Sequence, residues 1–83
     1  MIDLKQHARD VNAPASNKLV NAILSKAGRA ERLYRAPHGY YYWSEGESIS
    51  WPSIYSYRIS DFTVGEVLEE VLYNLQHYTA TRG

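Results

Sequence analysis

The run from Gly39 to Ile59 constrains this chain more than any other stretch. It reads Gly39-Tyr40-Tyr41-Tyr42-Trp43-Ser44, then an acidic loop, then Trp51-Pro52 and Ile54-Tyr55-Ser56-Tyr57-Arg58-Ile59. Aromatic and β-branched side chains suit a pleated, half-buried surface, so the run predicts two strands, Tyr40–Ser44 and Ile54–Ile59. Successive strand residues face opposite ways, which sets Tyr40 and Tyr42 against Tyr41 and Trp43. By the same alternation Tyr55, Tyr57 and Ile59 share one face, and Ile54, Ser56 and Arg58 the other.

A first strand, Glu31–Ala36, precedes this run, with Leu33 and Arg35 on one side and Arg32 and Tyr34 on the other. Pro37-His38-Gly39 supplies the turn, proline presetting φ and glycine accepting a left-handed backbone. Glu45-Gly46-Glu47-Ser48 reads as a solvent loop, and Pro52 cannot donate to a ladder, so the third strand is expected to start after it.

Helices flank the strands. Leu19, Val20, Ile23, Leu24 and Ala27 fall on one helical stripe within 17–27, followed by Gly28 as the stop. Asn12, Ala13 or Ser16 could cap its start. At the other end Thr63-Val64-Gly65-Glu66 matches a capping box, with Phe62 and Val67 placed as a hydrophobic staple. Val64, Val67, Leu68, Val71, Leu72, Leu75 and Tyr78 continue that helix on one stripe. Ile2, Leu4, Ala8 and Val11 allow a short additional helix over 2–12, with a loose terminus over residues 1–15 as the alternative. The expected fold is α+β: a three-stranded antiparallel β-meander packed on two helices, in the order (α)-α-β-β-β-α.

Eighty-three residues make one domain with a modest core, burying roughly 60–65 % of the unfolded surface. The chain has no cysteine, so neither a disulfide framework nor thiolate metal sites are available. Its first residues are too polar for a signal peptide, and no apolar run approaches membrane-spanning length, so a cytoplasmic protein without membrane contact is expected. Net charge is zero but uneven: residues 1–35 hold seven Lys/Arg against three Asp/Glu, and 36–83 hold two against six. Such a division suits either a basic partner-facing surface or two halves that attract each other.

The aromatic residues outnumber what two small helices can cover. One set of rings must then lie exposed, be covered by the N-terminal segment or be buried in a partner, and tyrosine combines contact area with a polar tip. The candidate contacts are Tyr42, Trp43, Trp51, Tyr55 and Tyr57, rimmed by Arg32, Arg35 and Arg58. This predicts a non-enzymatic protein-interaction module, with self-association into a homodimer as one use of the same face. The alternative is a nucleic-acid-binding accessory protein that stacks bases on the aromatics and uses Arg29, Arg32 and Arg35. A neutral chain without an RNP-like signature favours it less.

No catalytic constellation is present. His7, His38 and His77 lack ligand spacing, no Gly-x-Ser-x-Gly elbow or phosphate-cradling glycine loop occurs, and Glu45 and Glu47 sit in a solvent loop. Neither enzymatic activity, a cofactor nor a metal is expected.

Across residues 17–70, Gly39-Tyr40-Tyr41-Tyr42, Trp51-Pro52-Ser53, Tyr55, Tyr57-Arg58 and Ser60-Asp61-Phe62-Thr63 resemble a set of short uncharacterised proteins from bacterial phages, prophages and plasmids. The resemblance implies a mobile-element setting, in which small cofactor-free proteins often bind and block a host protein, including defence machinery. It carries no established activity and therefore no residue role.

Overall fold

Both helices form where their spacing predicts, but Leu19 of the first stripe is exposed and Tyr78 of the second falls just past the helix end. In the computed structural model, which describes residues 4–78, α1 spans Asn17–Lys26 and α2 spans Val64–His77. Ser16, rather than Asn12 or Ala13, caps α1, its side chain accepting from the Leu19 N–H at 3.1 Å. The α2 capping box is complete: Glu66 N–H donates to Thr63 Oγ1 at 3.1 Å and Thr63 N–H to Glu66 Oε1 at 2.8 Å. The next two orphan donors of that helix end are met from the N-terminal segment. Val64 N–H donates to the Ala13 carbonyl and Gly65 N–H to that of Val11. A side chain at position 65 would crowd Val11, whose carbonyl lies 3.1 Å from the site of a Cβ. Glycine, a weak helix former, is the residue that lets the segment lie this close.

The N-terminal stretch is thereby tied down. Leu4–His7 forms a 3-10 helix rather than part of an α-helix over 2–12, Leu4 is wholly buried, and Pro14 bridges to Thr63. Ile2, placed on the expected helix, lies outside the described residues.

The sheet is a two-stranded antiparallel hairpin, β1 (Arg32–Arg35) and β2 (Tyr41–Ser44), with Leu33 opposite Trp43 and Tyr34 opposite Tyr42. The expected third strand is not formed. Ile54 makes a single bridge to Tyr41, exchanging both backbone hydrogen bonds at 2.8 Å. Bonded pairs recur every second residue in an antiparallel ladder. From this register the next pair on the β2 side would be Trp43 with Pro52, which has no N–H to give. In the other direction the ladder would run alongside the hairpin turn rather than a strand. The chain leaves instead: Ser56 Oγ bonds the backbone of Arg58, and Ile59–Asp61 turns as a 3-10 helix. Tyr41 takes up the Ile59 N–H through its hydroxyl at 3.1 Å.

One core joins these parts. Val20, Ile23 and Leu24 of α1, Val64, Val67, Leu68 and Val71 of α2, and Leu33, Tyr41 and Trp43 of the hairpin meet in it, with Leu4, Trp51 and Ile59. Thus α+β with two helices and a two-stranded sheet is the architecture, and no helix among the described residues is long and apolar enough to cross a membrane.

Candidate functional site

The hairpin sorts its aromatic residues by alternation. Leu33, Tyr41 and Trp43 turn inward, while Tyr34 and Tyr42 turn outward. Since Tyr34 and Tyr42 are register partners, their rings stack, with centroids 5.7 Å apart and planes 30° apart. Tyr40, two residues before Tyr42 and so on the same side, has its centroid 6.5 Å from that of Tyr42. The Tyr41–Ile54 bridge then brings Tyr55 beside Tyr40, centroids 5.7 Å apart. Four rings from three chain segments therefore stand in one continuous row, Tyr34–Tyr42–Tyr40–Tyr55.

This row faces outward. Tyr55 is 81 % exposed, and Tyr34 and Tyr42 are each exposed by more than a third. Tyr57, 78 % exposed, lies across the turn against Gly39. A Cβ at position 39 would come 2.6 Å from the Tyr57 ring, and φ there is +83°, so glycine is required for both the turn and the ring. Each aromatic neighbour restricts the next, and such pairs add about 0.5–1.5 kcal/mol beyond area burial.

The other expected contacts separate from this face. Trp43 and Trp51 are core residues, each 7 % exposed, meeting edge to face at 5.5 Å. They supply packing rather than a surface, because helix and loop close over the inner side of the hairpin. Arg32 donates through Nη1 to the carbonyls of Arg29 and Glu31 at 2.8 and 2.7 Å. Arg29 is turned inward as a two-pronged partner of Glu31, both bonds at 2.9 Å. Arg58 is exposed and faces Asp61 at 3.7 Å. Arg35 is exposed and has no ion pair among the described residues. Tyr34 and Tyr40 belong to the row without having been singled out from the sequence. The hairpin register is the signal for Tyr34, because it sets that ring opposite Tyr42.

No protein-family model matches the chain, and comparison with curated proteins and with solved structures returns no match.

Both sheet edges are engaged. On β1 the Asn21 side chain of α1 bonds Leu33 N–H and C=O, at 2.7 and 3.1 Å. On β2, Ile54 occupies Tyr41. An incoming strand would have to displace one of them, so the surface the hairpin offers is its ring-bearing face rather than an edge. Among the described residues, no group of three His, Cys, Asp or Glu side chains is gathered as a metal site would require.

Proposed function

We propose that this chain is a non-enzymatic protein-interaction module whose recognition surface is the tyrosine row Tyr34–Tyr42–Tyr40–Tyr55, flanked by Tyr57. The observation that carries this reading is that the exposed rings of Tyr34, Tyr42 and Tyr55, with the half-buried Tyr40 among them, stand in contact in one row. Rings held by their neighbours lose little freedom on binding, and tyrosine joins apolar area to a hydroxyl that can meet a partner's backbone. The resemblance over residues 17–70 supports a mobile-element setting and, as partner, a host protein that this module blocks. Self-pairing of the same face would produce a homodimer.

The test is quantitative capture from a bacterial lysate with wild-type protein and the double variant Tyr42→Ala/Tyr55→Ala, both verified as folded by circular dichroism. Loss of two central aromatic anchors should reduce affinity for the captured protein at least about tenfold. Equal capture by the variant would remove the tyrosine row as the site. Light scattering of the purified protein reports the homodimer directly.

The second reading, nucleic-acid binding, draws on the same row as a stacking platform. Its cationic support is thin, since Arg29 and Arg32 are engaged internally, Arg58 faces Asp61, and Arg35 stands on the Leu33 side of β1, away from the row. A salt titration separates the readings, since phosphate contacts give a steep loss of affinity with ionic strength and a tyrosine interface a shallow one.

A further inference from the structure

A hollow of about 150 Å³ runs between α1 and the segment that precedes it. Ala8, Ala13, Ala22, Ile23 and Val64 line it with apolar surface, and Leu19 stands at its lip. Leu19 belongs by spacing to the buried stripe of α1, yet 45 % of it is exposed. The three alanines are what leave the hollow open, because any larger side chain at those positions would begin to fill it.

The volume restricts the occupant. Pockets for cofactors and drug-sized molecules are roughly 300–1,000 Å³, whereas a cavity of about 150 Å³ accommodates a benzene-sized group. The hollow therefore takes one side chain of leucine or phenylalanine size. Its charged border restricts the occupant further. Arg9 and Lys26 line it with no ion pair among the described residues, while Asp10, the one carboxylate on the border, accepts the Asn12 N–H at 2.9 Å. The border belongs to the half of the chain that carries the excess of Lys and Arg.

We infer that this hollow is a second binding site, independent of the tyrosine row, for an acidic peptide segment that inserts one bulky apolar side chain. The side chain fills the space over Ile23 and Val64, and Asp or Glu residues beside it meet Arg9 and Lys26. Charge complementarity selects the acidic segment, and the hollow's size selects a single anchor.

The probe is a short fluorescein-labelled peptide of Asp and Glu with one central Phe, followed by fluorescence anisotropy and by ¹⁵N-resolved NMR of the full chain. Saturable binding is expected, with shifts at Ala22, Ile23 and Val64. Replacing the central Phe by Ala should weaken binding about tenfold or more, as should the exposed charge reversal Arg9→Glu/Lys26→Glu. Ala22→Trp, which plugs the hollow and leaves the charges in place, should do the same. The Tyr42→Ala/Tyr55→Ala variant should bind the peptide as wild type does, which keeps this result separate from that of the tyrosine row. The inference is overturned by absence of saturable binding, by equal binding of the Ala peptide or of a Lys-flanked Phe peptide, by shifts confined to the tyrosine face, or by a hollow filled through dimerisation of the chain.

Discussion

Asn21 on α1 and Leu33 on β1 pair as two strand residues would. The Leu33 N–H donates to the Asn21 carbonyl oxygen at 2.7 Å, and the Asn21 amide returns a hydrogen bond to the Leu33 carbonyl at 3.1 Å. One side-chain amide thus satisfies both outward backbone groups of the residue at the heart of β1, and it fixes α1 against the sheet. Leu33 is fully buried, so no water can substitute at that position.

Asn21→Ala should therefore cost about 2 kcal/mol, the order expected when a buried donor and acceptor lose their partners. Chemical denaturation measures the loss. Hydrogen exchange at the Leu33 amide should accelerate by more than the global destabilisation alone requires, because its only partner has gone.

Glu31 makes a different use of a polar side chain in the interior. It is 1 % exposed, bonded by both prongs of Arg29, and its Oε2 also accepts the Glu47 N–H at 2.7 Å. Position 46 beside it has φ +58°, and a Cβ there would overlap the carboxylate. The acidic loop is thus stapled to the core by a carboxylate. Burial by itself would raise the Glu31 pKa. The hydrogen bonds from Arg29, Glu47 N–H and its own N–H, with the Arg29 charge, outweigh burial and hold the value below the ordinary glutamate range. A depressed folded-state pKa stabilises the fold fully above the unfolded-state value, and that contribution disappears as pH falls through the folded-state value. Denaturant midpoints followed from neutral pH into the acid range should show this loss, and Glu31→Gln should flatten the acid limb while lowering stability at neutral pH. Truncating one member of a buried ion pair typically costs about 3–5 kcal/mol, and the partial exposure of Arg29 puts this pair at the lower end or beneath it.

Asn74 presents the opposite case. It lies on the buried stripe of α2, fully enclosed, and neither atom of its amide has a hydrogen-bond partner among the described residues. Leaving a buried amide unpaired costs about 1–3 kcal/mol. Asn74→Leu, close in volume, should accordingly raise stability by about 1–2 kcal/mol, read as a higher thermal midpoint. A lower midpoint would mean that the amide is engaged in the folded protein.

Both helices were legible in the residues alone. Their stripes recur with the helical period, and Thr63 and Glu66 are a local capping pair that needs nothing distant. The hairpin was legible too, because Pro37, His38 and Gly39 punctuate two alternating runs. The failure at Ile54–Ile59 follows from register: with Ile54 opposite Tyr41, the residues after it run alongside the hairpin turn rather than a strand, while Pro52 before it has no N–H to give Trp43. Trp43 and Trp51 looked like contacts because composition does not say which side of a strand a helix covers. Tyr34 and Tyr40 entered the exposed row only once register and bridge had set their neighbours.

The sequence by itself determined the elements whose signals are local: helix stripes, caps and the turn are each read within a few residues. Tertiary structure alone decided which rings face outward, that Asn21 and Glu31 serve the interior, and that three alanines enclose a hollow. These outcomes depend on segments far apart in the chain meeting in a particular register, and no short window contains that register.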